Sequence, residues 1–186
     1  MKTNPDMLYL PYRLKEISRK GGVGNRYEST AEHVYSSMHL ASYYIKFYPE
    51  LNYERVMKIL LYHDLVEIFA GDTFILDNDM LKTKKIRESR AFERLLQELP
   101  LETAGELKIY WPEFEVGTTK EARFCKAIEQ LDPMIHSLYK PEEWTKYKFT
   151  ERELVKKKEP LFKEFPEVHK MFKQVIHRLK SNGSIK

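Results

Sequence analysis

The chain has 186 residues, 42% of them hydrophobic, and no low-complexity tract, which suits one globular domain with a substantial core. Its formal charge of +4, from 32 basic and 28 acidic side chains of interspersed sign, helps an anionic substrate approach but gives no argument for binding a nucleic-acid polymer. Cys125 is the only cysteine, no apolar leader opens the chain, and no run approaches the roughly 20 residues that cross a bilayer, so the expectation is a cytoplasmic protein without disulfide or membrane span.

Helical periods and caps recur along the chain and strand alternation does not, which predicts an all-α bundle of about six to eight helices. Leu10, Leu14 and Ile17 fall at helical spacing, and Pro11 marks a start for the first helix, 7–17. Residues 18–26, Ser-Arg-Lys-Gly-Gly-Val-Gly-Asn-Arg, read as a loop. Its glycines let backbone approach a ligand, and Arg19 and Lys20 beside them supply cations for a phosphate; the plain alternative is a solvated connector. Ser29 and Glu32 form a capping box that opens a helix to about residue 47, with His33 in its first turn. His39 is read as structural, and Tyr35, Met38, Tyr43 and Tyr44 as packing residues.

Asn52 caps the next helix, predicted to run unbroken to residue 70. Residues 72–78 form a loop in which Asp77 and Asp79 are turn and cap residues. A charged helix over 82–99 buries Ile86, Phe92, Leu95, Leu96 and Leu99 on one face, and a short helix follows over 101–111. Thr118 and Glu121 read as a second capping box, opening a helix to about residue 139; Thr150 and Glu153 read as a third. Lys156, Lys157 and Lys158 read as a solvated run. Pro166 starts a last helix that ends before Asn182, with His169 and His177 on its surface.

The stretch 59–72, Ile-Leu-Leu-Tyr-His-Asp-Leu-Val-Glu-Ile-Phe-Ala-Gly-Asp, is mostly apolar yet carries His63, Asp64, Glu67 and Asp72. A carboxylate in an apolar wall needs a partner or a metal. Residues four apart share a helix face, so His63 and Glu67 stack, while Asp64 lies roughly 100° round from His63. An imidazole and its neighbouring carboxylate can then converge on one ion.

The pattern His-Asp-x-x-Glu-x-x-x-Gly-Asp, with His33 upstream, resembles the HD-domain metal-dependent phosphohydrolases, and within them the branch of the 5′-deoxynucleotidases. The resemblance runs from about residue 14 to about residue 136; the chain is read as one domain spanning 1–186, with a motif-bearing core over about 14–140 and a C-terminal helical extension over about 150–182. It implies His33, His63 and Asp64 as ligands of one divalent ion (Mn, Co, Fe, Ni or Zn). A fourth ligand comes from Lys126-Ala127-Ile128-Glu129-Gln130-Leu131-Asp132, where Glu129 stands at the position relatives fill with aspartate. Asp132, three residues on and sharing a face, is the alternative. Glu67 would position or deprotonate water. Asp72 would hold a second water, pass a proton to the departing oxygen or contact the sugar. Arg19, with Lys20, would hold the phosphate. Relatives often carry a tryptophan just after this arginine, where this chain has Lys20, Gly21 and Gly22. Residues 111–115, Trp-Pro-Glu-Phe-Glu, resemble a packing segment of the same branch. The implied substrate is a deoxyribonucleoside 5′-monophosphate, and the implied assembly a homodimer. The alternatives are an HD hydrolase of another nucleotide or sugar phosphate, and a catalytically silent metal-binding interaction protein.

Overall fold

The computed structural model describes residues 4–140, 145 and 148–186. The all-α reading holds for almost all of it. Helix α1, Pro5–Tyr9, is capped by the Asn4 side chain, with proline where a missing N–H costs nothing, and runs on as a 3-10 helix over Leu10–Glu16. The helix therefore starts before Pro11.

The glycine-rich stretch is not a loop. It forms an antiparallel hairpin of β1, Ser18–Val23, and β2, Arg26–Ser29, with Val23 opposite Arg26 and Ser18 opposite Ser29. Gly24 turns it at φ +58°, a region open to glycine. The register slips between Ser18 and Gly22, so no clean alternation exists along β1.

Ser29 and Glu32 cap α2, Thr30–Tyr44, reciprocally, and a 3-10 turn follows over Ile45–Phe47. Asn52 caps α3, Tyr53–Tyr62. The predicted single helix breaks here: residues 63–66 turn tightly, and α4, Glu67–Ala70, is a separate short helix. Asp77 caps α5, Asn78–Glu98. Helix α6, Leu101–Val116, continues through Pro112 to Gly117 rather than ending at Trp111. Packing carries it past the proline: Trp111 stacks on Phe92 at 4.7 Å, and Glu113 pairs with Arg55 at 2.7 Å. Thr119, not Thr118, caps α7, Lys120–Ser137, and the Glu121 carboxylate accepts the Asn52 N–H instead of closing a capping box. The box at Thr150 and Glu153 does close, on α8, Glu151–Phe162; α9, Pro166–Ser181, ends the chain's helices.

Helix α7 is central: of its residues only Arg123 is exposed, and Phe124, Ile128, Leu131 and Met134 are fully buried. They share a core with Ile59 and Leu60 of α3, Phe162 of α8, and Phe172 and Leu179 of α9. Burying each such side chain contributes roughly 1.5–3 kcal/mol. A second core joins Leu10 and Leu14 to Leu65, Ile68, Leu95 and Leu107. Three expected packing residues are exposed: Tyr35 (72%), Tyr43 and Ile86. His39 is exposed and stacks on Tyr35. His169 is half-buried against Glu159, and His177 is exposed. Among the described residues no helix is long and apolar enough to cross a membrane.

Candidate metal centre

The site lies where α2, the α3–α4 break, the β-hairpin and α7 meet. The capping box at the start of α2 sets His33 in the first turn, fully buried. His63 is the C-cap of α3, and the chain there closes with three-residue bonds, Leu65 N–H to Tyr62 C=O and Glu67 N–H to Asp64 C=O. This tight turn, rather than one continuous helix, brings Asp64 beside His63 and puts Glu67 on a new helix start.

The two imidazoles are oriented from behind. His63 Nδ1–H donates to the Leu60 carbonyl at 2.7 Å, and His33 Nδ1–H donates to the Asp132 carboxylate at 2.8 Å. Among the described residues, neither buried Nε2 atom has a hydrogen-bond partner. The two atoms converge on the same Asp64 oxygen, His63 Nε2 at 3.2 Å and His33 Nε2 at 3.7 Å. Leaving buried ring nitrogens unpaired is costly unless a ligand takes their lone pairs. One oxygen donor and two imidazole donors, all within 4.8 Å of one another, suit a divalent transition metal. The residues thus fit the ion that the motif implies.

The hairpin delivers Arg19. Its Nη1 lies 3.4 Å from Asp64 and 3.3 Å from Asp72, and its Nε lies 3.7 Å from Glu28. Gly71, at φ +73° and ψ 154°, ends α4 and turns the chain so that Asp72 faces this guanidinium. Lys20 lines the same cavity and lies over the Tyr27 ring. Glu67 is 5% exposed and accepts a hydrogen bond from Thr30 Oγ1 at 2.8 Å. Glu129 lines the cavity, takes a hydrogen bond from Gln130, and stands outside the tight cluster of His33, His63 and Asp64. Asp132 is committed to the far nitrogen of His33.

Charge in the site is strongly coupled. Burial pushes Glu67 well above the usual carboxylate range, Asp64 and Asp72 push it further, and Arg19 opposes them. Burial also raises Asp72, against the pull of Arg19. Burial works against ionised Asp64, but His63, His33 and Arg19 outweigh it and hold its value low. Burial lowers His63, yet Asp64 overrides this and lifts it to about 9.

Several residues of the site carry no motif. Glu28 pairs with Arg19, and His136 of α7 reaches the hairpin by a 2.7 Å hydrogen bond to the Gly22 carbonyl. Lys158 corrects the expectation of a solvated run: it is 6% exposed, and burial lowers its amine to about 8. The signal for it is present, since Leu154, Lys158 and Phe162 recur at four-residue spacing along the buried stripe of α8. The cavity shared by these groups measures about 900 Å³.

A family model described as HD domain matches residues 12–169. The chain is 32% identical over 133 residues to the human protein named 5′-deoxynucleotidase HDDC2, covering 70% of this chain and 64% of that protein. It is 33% identical over 137 residues to 5′-deoxynucleotidase hdd1 of Schizosaccharomyces pombe, covering 70% of this chain and 68% of that protein. In structure it is similar to a protein of Magnetospirillum magnetotacticum described as a predicted metal-dependent phosphohydrolase. That match has a TM-score of 0.84 and 29% identity, over 96% of this chain and 94% of the other.

Proposed function

Since the chain belongs to the HD-domain family, we propose that it is a metal-dependent phosphohydrolase that releases phosphate from deoxyribonucleoside 5′-monophosphates. The observation that carries this reading is the pair of buried imidazole Nε2 atoms that converge on Asp64, which together with Arg19 lines the cavity. The curated relatives named as 5′-deoxynucleotidases support the substrate class.

In this proposal His33, His63 and Asp64 hold the ion, with Glu129 as the further carboxylate from α7. A divalent ion bound there supplies Lewis acidity toward a phosphoryl oxygen and a water acidic enough to attack near neutral pH. Glu67 orients the attacking water and accepts its proton. Thr30 fixes one of its oxygens, which leaves the other for that task. Arg19, with Lys20 on the same strand, neutralises the phosphate as charge builds on its oxygens. Asp72 delivers a proton to the departing nucleoside oxygen, in keeping with the burial that raises it. Asp132 holds the His33 ring in the tautomer that presents Nε2. We extend the proposal to a homodimer, as the resemblance implies; sedimentation as a monomer at micromolar concentration would remove that part.

The test is metal content of the purified protein together with phosphate release from a panel of deoxyribo- and ribonucleoside 5′-monophosphates. Stoichiometric metal and faster release from the deoxy series are expected. A metal-loaded protein that releases no phosphate from any of them would overturn this reading in favour of a hydrolase of another phosphate ester or a silent metal-binding interaction protein.

A further inference from the structure

Helix α8 presents Lys156, Lys157 and Lys158 to the cavity, on an element separate from the hairpin that carries Arg19 and Lys20. Lys158 is the informative one. Its side chain is more than nine-tenths buried, and its Nζ donates to the Gln130 carbonyl at 3.2 Å. Among the described residues it makes no ion pair; Glu129 acts on it only from beyond ion-pair distance. The nearby acid of α8, Glu153, is already spent on the Thr150 N–H and hydroxyl at the helix start. A buried ammonium without an anion is unfavourable, and one facing a cavity is explained by an anion that arrives there. The volume agrees: about 900 Å³ lies near the upper end of the roughly 300–1,000 Å³ range of small-molecule sites, more than one nucleoside and one phosphate need.

We propose that the α8 wall is a second anion subsite, built on Lys158 with Lys156 and Lys157, and that it receives a second phosphate group of the substrate. The preferred substrate class is then a nucleoside 3′,5′-bisphosphate. This deepens the phosphohydrolase reading above and rests on it. Water oxygen bonds to the 5′-phosphorus, the bond from that phosphorus to O5′ breaks, and a proton goes to O5′. The products are a nucleoside 3′-phosphate and inorganic phosphate, the 3′-phosphate staying on α8.

The experiment compares kcat/KM for 2′-deoxyadenosine 5′-monophosphate and 2′-deoxyadenosine 3′,5′-bisphosphate on the metal-loaded protein. Calorimetric affinities for both compounds are measured alongside. A preference of about tenfold or more for the bisphosphate is expected, the scale of one charge-assisted hydrogen bond. In Lys158→Met, which keeps the buried stem but removes the charge, the ratio should fall toward one. In the double variant Lys156→Ser/Lys157→Ser, at exposed positions that leave the core intact, it should fall partway. Equal kcat/KM and equal affinity for the two compounds in the wild type overturns the subsite. So does an unchanged ratio in both variants. Loss of turnover on both compounds with tighter bisphosphate binding retained would instead defeat the hydrolase reading while leaving the anion site standing.

Discussion

Asp132 and Glu129 sit one helical turn apart on α7, and their contacts differ. Asp132 already accepts the His33 Nδ1–H at 2.8 Å, so its oxygen serves the ring and orients the other nitrogen. Glu129 lines the cavity, and among the described residues its one hydrogen bond is from the neighbouring glutamine amide. The residue types left both open as the further ligand; a three-residue spacing cannot say which carboxylate reaches the front of an imidazole and which its back. Glu129→Gln is expected to weaken metal binding more than Asp132→Asn. An asparagine at 132 still offers an oxygen to His33, so its loss should stay within about 10–100-fold. Titrating both variants with one metal decides it, and a larger loss in Asp132→Asn would reverse the assignment. Glu67→Gln should keep the metal while turnover falls at least about 100-fold, since an amide cannot take the proton of water. Normal turnover in that variant would remove Glu67 from the chemistry.

The elements were legible where local chemistry decides them. Caps at Ser29, Asn52, Asp77 and Thr150 mark helix starts that side-chain oxygens satisfy without help from the rest of the fold, whereas the start of α7 was read one residue early, at Thr118 in place of Thr119. The hairpin was not legible, because its strands are short, polar and slipped in register, and their pairing is secured by neighbours such as His136. Nor was the break at 63–66, where the apolar period runs on while the backbone tightens. Gly71 is the one residue in this region whose backbone demands its identity. At φ +73° and ψ 154° it occupies a region essentially closed to other residues, and among the described residues nothing beyond its chain neighbours lies within 4 Å of where a Cβ would stand. Gly71→Ala is therefore expected to cost about 1–3 kcal/mol through backbone strain and not through a clash. Because Asp72 is the next residue, turnover should fall along with the melting temperature. An unchanged melting temperature with normal turnover would show that α4 can end another way.

At the scale of the molecule, the question is what holds the Arg19 hairpin against the helical body. His136 on α7 does much of it. Its Nε2 donates to the Gly22 carbonyl at 2.7 Å, and its Nδ1 lies 3.5 Å from the Glu28 carboxylate. Both ring nitrogens face acceptors, which favours the imidazolium. The Glu28 hydrogen bond, working against burial and aided by Gly22 and Asp132, lifts His136 to about 9. For Glu28, burial pushes upward, but the bond to His136 and the charges of His33 and Arg19 win and hold it low. The signs follow from linkage. A histidine raised in the folded state stabilises fully below its unfolded value of roughly 6.5, and that contribution is lost as pH climbs through about 9. A lowered carboxyl stabilises above its ordinary value, and its contribution is lost as pH falls through the depressed one. The hairpin is therefore held most firmly between about pH 4.5 and 6.5. The His136 side chain is partly exposed and so partly screened by solvent, which leaves a contribution of about 1–2 kcal/mol, several degrees of melting temperature in a domain of this size. Melting the wild type and His136→Gln at about pH 6 and about pH 9.5 tests this. The wild type should lose more stability over that interval than the variant, whose neutral amide does not titrate. Equal losses in the two proteins would mean that the imidazolium does not clamp the hairpin, and that Arg19 is held in place by its own carboxylates alone.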